Sequence, residues 1–324
     1  FMYDPSVGPL KTIFNCGNSV LPVVLRRPDF WVFLLYNIVI YSCFNHGAWP
    51  SQGTALGKAA HLSWGDVQVV TALTTLFEVF YTNQCFDRYL GLHKATRDIF
   101  TVAQQIAFEL RLHPGAHPEY ARLSLRYTLA AILLFWEEVQ PGIVAGTDLR
   151  HRLLSDDEFS ALRSAGVGRP ALLLRWAREV FDREAKALPL QPVVRISVIG
   201  KFELELRTMQ TVAHTLEFPV PFQYYHFLCL MVSFCFVSWG FYTGTTAGHF
   251  AVPLFLVAEV IFMGMIHLAS AMSDPFGDDA VDFPLQAWLM EAFDKCEAIM
   301  EHELGVESEK SWEATLSRER SLEA

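Results

Sequence analysis

Four apolar stretches, each close to the length of a bilayer-crossing helix, constrain this chain more than any other feature. A helix needs roughly 20 mostly apolar residues to cross a membrane. The stretches are residues 30–46, 66–86, 222–243 and 249–271, with Trp31 and Trp49 placed as interface anchors on the first. Only Gly-Thr-Thr-Ala-Gly separates the last two, before His249, which predicts a hairpin. A fifth apolar run, Leu123 to Val139, has Arg126 near its start and Glu137-Glu138 near its end.

Basic residues decide between the runs, because lysine and arginine collect on one side of a membrane. Lys11, Arg26 and Arg27 precede the first stretch, and the loop after it holds Lys58. Arg88, Lys94, Arg97, Arg111, Arg122 and Arg126 follow the second stretch, and the segment 150–207 is also rich in arginine. If the basic segments share one side, the first two stretches cross out and back. The run 123–139 then has basic flanks at both ends and is expected as a buried helix of a soluble part. The expectation is an all-α membrane protein with four spans and a helical cytosolic part covering about 88–216 and 274–324, all in one domain.

Composition agrees. Hydrophobic residues make up 52% of the chain, mean hydropathy is +0.25, and Phe occupies 26 positions. A net charge of −10 gives no basic surface for nucleic acid. Cys16, Cys43, Cys85, Cys229, Cys235 and Cys296 form no C-x-x-C pair and read as packed thiols. The opening Phe1-Met2-Tyr3-Asp4 is expected of a processed protein or a piece of a longer one.

The soluble part reads as helices. Residues 100–112 have helical spacing and stop before Pro114-Gly115. Ser155 followed by Glu158 matches a capping box. Runs 195–216 and 288–303 are amphipathic. His113 and His117 are four apart, but Pro114-Gly115 between them predicts a loop rather than a metal site.

Four motifs in order resemble the bestrophin family. Gly17-Asn18-Ser19-Val20-Leu21-Pro22 is similar to the family's stretch before the first span. Phe80-Tyr81-Thr82-Asn83-Gln84-Cys85-Phe86-Asp87-Arg88-Tyr89 is similar to its signature after the second, with Tyr81 in place of a usual arginine. Phe218-Pro219-Val220-Pro221-Phe222, with His226, resembles its entry into the third span. The strongest match is Asp274-Pro275-Phe276-Gly277-Asp278-Asp279-Ala280-Val281-Asp282-Phe283-Pro284-Leu285, after the fourth.

The resemblance implies a homopentamer around one axial pore that conducts chloride and other small anions, bicarbonate and nitrate among them. It implies a hydrophobic neck lined by the second span. Val69, Leu73 and Phe77, at i, i+4 and i+8, are the expected neck residues, and packing against another helix is the alternative for the same stripe. A lower constriction is expected near Thr211 or Val212. In calcium-gated relatives the Asp-rich block forms a calcium clasp. Asp274, Asp279 and Asp282 are the candidate Ca2+ ligands here, and a helix N-cap is the alternative role for Asp279 or Asp282. Some algal members are fused to a rhodopsin domain, which makes light a second candidate gate.

The host membrane is expected to be a plasma or thylakoid-type membrane. An enzyme is not expected: Glu78 and Glu259 are isolated acids within spans, and no nucleophile elbow, phosphate loop or H-E-x-x-H motif is present. A non-conducting membrane scaffold of the same fold is the alternative function.

Overall fold

The computed structural model describes residues 19–46, 62–113, 118–143, 152–166, 168–187, 191–277, 279 and 281–301. Among them the regular elements are all helical: α1 (Val20–Arg26), α2 (Pro28–Asn45), α3 (Trp64–Leu112), α4 (Pro118–Val139), α5 (Asp156–Ala165), α6 (Arg169–Ala187), α7 (Pro192–Glu217), α8 (Phe222–Thr246), α9 (Ala251–Ser273) and α10 (Leu285–Glu301). Cys16, Gly17, Asn18, Trp49, Lys58, His117, Asp278, Ala280 and the tail after Glu301 lie outside the described residues. The chain divides into two compact units, residues 1–93 with 214–283 and residues 94–213 with 284–324.

In the first unit, α8 and the segment Gly248–Ser273 containing α9 are long and apolar enough to cross a membrane, with mean hydropathies of 1.6 and 2.1. They form the expected hairpin, joined by a 3-10 turn at Gly248–Phe250. The other two expected spans are less apolar. The 18-residue α2 carries Asp29, Asn37 and Asn45, and the first half of α3 carries Asp66, Glu78 and several threonines.

α2 packs on both α8 and α9. Lipid tails are as apolar as leucine, so burying apolar side chains does not by itself drive spans together, and close approach and hydrogen bonds must do so. Gly240 and Gly244 supply the close approach. A Cβ at Gly244 would stand 2.8 Å from Ile40 Cγ2 and 3.2 Å from the Tyr41 backbone nitrogen, and one at Gly240 would stand 2.9 Å from the Tyr36 ring. Asn37 supplies the hydrogen bonds. Its buried Nδ2 donates to the Gly240 carbonyl and to Thr243 Oγ1, both at 2.9 Å. Gly244→Ala is therefore expected to cost roughly 1–3 kcal/mol, because backbone cannot yield as a flexible side chain can. Thermal unfolding in detergent checks this, and an unchanged transition would show that α2 does not pack on this face.

α3 is one helix of 49 residues, where a span ending near 86 and a separate helix over 100–112 were expected. No proline interrupts it. Gly91 alone costs only about 1 kcal/mol in a helix interior, too little to break it. α3 contributes residues to both units.

The second unit is built on α4 against α6. The apolar run 123–139 is α4, and Leu129 through Trp136 is buried. Ser124 Oγ donates to the Ala177 carbonyl at 2.8 Å, which ties the two helices. The Ser155 capping box is present: Ser155 Oγ accepts from the Glu158 N–H, and Glu158 Oε2 accepts from the Ser155 N–H. Glu158 also accepts from Arg126 and from the Tyr127 hydroxyl, each at 2.7 Å, so the cap is pinned to the start of α4.

Candidate functional site

The N-terminal half of α3 presents one long exposed face. Val69 (62%), Leu73 (48%), Leu76 (50%) and Phe80 (55%) are exposed, and Gln68, Thr75 and Asn83 are exposed among them. The outward faces of α8 and α9 differ. At mid-helix α8 exposes Phe227, Leu230, Phe234 and Val237, and α9 exposes Leu254, Val257, Ile261 and Met265, which are all apolar. Purely apolar faces suit lipid. The mixed face of α3 suits water or another subunit.

Val69 and Leu73 lie on that face, but Phe77 does not. It is half-buried, its ring 5.7 Å from Phe227 and 6.2 Å from Tyr224, and its carbonyl accepts from the Tyr224 hydroxyl at 3.0 Å. The reason is helical drift. Each four-residue step overshoots a 3.6-residue turn by about 40°, so two steps turn position 77 by about 80° from position 69. Steps of seven and eleven residues return to within about 20°, and these reach Leu76 and Phe80. The sequence contained this signal, and the i, i+4, i+8 spacing missed it. The face is held in place by Trp239, whose Nε1 donates to Thr71 Oγ1 at 2.7 Å, and by the edge-on Trp64–Trp239 pair.

Below this face, Arg88 joins three carbonyls. Its Nε donates to the Ser273 carbonyl at 2.9 Å, and its Nη1 donates to the carbonyls of Thr215 and, at 2.8 Å, Phe218. Ser273 ends α9, and Thr215 and Phe218 bracket the end of α7. A cation there meets the partial negative charge of two helix C-termini. The next residue, Tyr89, donates its hydroxyl to the Val281 carbonyl at 2.9 Å and sets its ring 4.8 Å from Phe283.

These contacts hold the Asp-rich turn, whose carboxylates do not gather. Asp282 Oδ2 accepts from the Asp279 N–H at 2.6 Å, while Asp274 and Asp279 are exposed. Among the described residues no group of three or more His, Cys, Asp or Glu side chains is placed to hold a metal ion.

α7 separates its two expected constriction residues. Thr211 is exposed, and its hydroxyl donates to the Arg207 carbonyl at 2.9 Å. Val212 is fully buried, on the inward stripe with Val198, Phe202, Glu205 and Met209. A side chain packed inside its own subunit cannot narrow an axial pore, so Val212 is removed from the site. The large apolar residues that α7 exposes most are Val193 (75%) and Ile196 (70%), near its start.

Glu205 is buried on that inward stripe, and neither carboxylate oxygen has a hydrogen-bond partner among the described residues. Burial holds its carboxyl well above the usual carboxylate range. Burial, with Glu205 and Glu297 nearby, pushes the Cys296 thiol up to about 12. The folded chain keeps a proton on Glu205 that the unfolded chain releases near its ordinary pKa. Stability is therefore unpenalised below about pH 4.5 and falls by about 1.4 kcal/mol per pH unit above it, until the folded-state pKa is passed. Glu205→Met is expected to raise the melting temperature more at pH 8 than at pH 5. An equal rise at both pH values would show that Glu205 does not bind a proton on folding.

Comparison with known proteins follows this architecture. The family model described as Bacterial/Fungal Bestrophin protein matches residues 4–297. Bestrophin homolog 5 of Caenorhabditis elegans is 22% identical over 227 residues, which cover 63% of this chain and 49% of that protein. The chain thus spans about half the length of this relative. A crystal structure of a bacterial bestrophin homolog from Klebsiella pneumoniae superposes with a TM-score of 0.74 at 18% identity, covering 88% of this chain and 99% of that one. A second structure of that homolog, obtained by zinc phasing, gives 0.70 at 16% identity over 85% and 98%. With a family model covering nearly all of the described residues and a fold shared along the length of the bacterial homolog, this chain is an integral membrane protein of the bestrophin family.

Proposed function

We propose that this chain is one subunit of a homopentameric channel that conducts chloride and other small anions passively through a single axial pore. The observation that carries the reading is the mixed face of α3, which differs from the apolar mid-helix faces of α8 and α9. Five copies of that face would make a neck of stacked apolar rings at Val69, Leu73, Leu76 and Phe80. Such a neck conducts when wide enough to wet and closes when it dewets. In the second unit, Val193 and Ile196 on the exposed face of α7 are the proposed narrow apolar ring. The chain's part is conduction, without turnover chemistry.

Calcium at the Asp-rich turn and an associated rhodopsin domain enter this reading only as stimuli that widen the neck. The test is to reconstitute the protein in a planar bilayer under a potassium chloride gradient and measure the reversal potential. A value near the chloride equilibrium potential is expected. A value near that of potassium would reverse the selectivity. No current under calcium, light or voltage would make the chain a non-conducting membrane scaffold.

A further inference from the structure

α7 turns one continuous face outward along its 26 residues. Val193, Ile196, Gly200, Leu204, Arg207 and Thr211 recur at steps of three and four and are all exposed. Three other charged residues of the helix have side-chain partners. Arg195 is bound to Asp182, Lys201 donates to Gln105 at 2.7 Å, and Glu203 accepts from Arg178 at 3.2 Å. The Arg207 guanidinium has no hydrogen-bond or ion-pair partner among the described residues.

We propose that Arg207 sets the ion preference of the pore as a ring of five unpaired guanidinium groups. This inference rests on the reading of the chain as a pentameric channel with α7 along its axis. Arg207 follows Ile196 by 11 residues, about 16 Å along the helix, so the charged ring is separate from the apolar constriction. An arginine held by an acid adds little field, but an unpaired one acts over a Debye length of about 8–10 Å. Five of them concentrate anions and exclude potassium before either reaches the narrow ring. The planar fork also matches two oxygens of a flat anion such as nitrate or bicarbonate, whereas lysine offers only a point charge.

The test uses the full chain in planar bilayers under a potassium chloride gradient. Arg207→Glu is expected to lower the chloride-to-potassium permeability ratio by about tenfold or more. Arg207→Lys keeps that ratio and lowers the preference for nitrate over chloride. Lys201→Glu, the same charge change off the exposed stripe, leaves the reversal potential where it was. Wild-type selectivity and conductance in Arg207→Glu would overturn the proposal, as would an equal shift in Lys201→Glu. If Arg207→Glu does not assemble, Arg207→Cys decides: an anionic sulfonate thiol reagent should move its reversal potential toward that of potassium and leave the wild type unchanged. An unresponsive Arg207→Cys channel would overturn the proposal. A wild type that is silent or cation-selective marks a failure of the channel reading itself, before any variant is compared.

Discussion

Leu76→Ser is expected to raise the anion current by roughly tenfold or more, the effect of removing about 1.4 kcal/mol from the conduction barrier. Its side chain is half exposed on the α3 face, so a hydroxyl there would help to wet the neck at little cost to the subunit. The neighbouring residue is the control. Phe77 packs on Tyr224 and Phe227, so Phe77→Ser should lower the yield of assembled protein, through the roughly 1–3 kcal/mol lost on truncating a half-buried aromatic, with no gain of current. Single-channel recording of the two variants separates these roles. If Phe77→Ser opened the pore and Leu76→Ser did not, α3 would be rotated by most of a quarter turn from the register described.

Arg88→Ala is expected to be the more damaging change to the fold, costing roughly 3–5 kcal/mol. It would leave the carbonyls of Ser273, Thr215 and Phe218 without their donor and remove a cation from two helix C-termini. Arg88→Lys should recover only part of the loss, because one ammonium cannot reproduce the fork that reaches all three oxygens. Thermal unfolding in detergent reads both. Equal stability in alanine, lysine and wild-type proteins would show that these hydrogen bonds do not hold the ends of α7 and α9 together.

Several features were legible before any coordinates. The α8–α9 hairpin, the buried character of α4 despite its apolar length, and the Ser155 capping box follow from local pattern or from the distribution of arginine. The ends of α3 were less legible, because a helix continues wherever nothing stops it, and change of composition near residue 86 is not a stop. The close approach at Gly240 and Gly244 was also missed. Two glycines four apart in a span are a packing signal, but only the positions of Tyr36 and Ile40 show what they pack against.

The exposed faces of α3 and α7 show where local pattern runs out. On α3, steps of seven and eleven residues from Val69 favour Leu76 over Phe77, and contact with α8 shows what Phe77 packs against. On α7, Thr211 and Val212 are neighbours in sequence, yet one is exposed and the other buried. The pairing of Glu203 with Arg178, which removes the acid four residues before Arg207 as its partner, depends on a helix that sequence spacing alone does not bring near. The sequence by itself determined the helical class, the membrane character and the family, because hydropathy, charge asymmetry and short motifs are properties of contiguous residues. Only the tertiary structure decided which side chains are free to meet an ion, because that depends on which neighbours from distant segments have already occupied the rest.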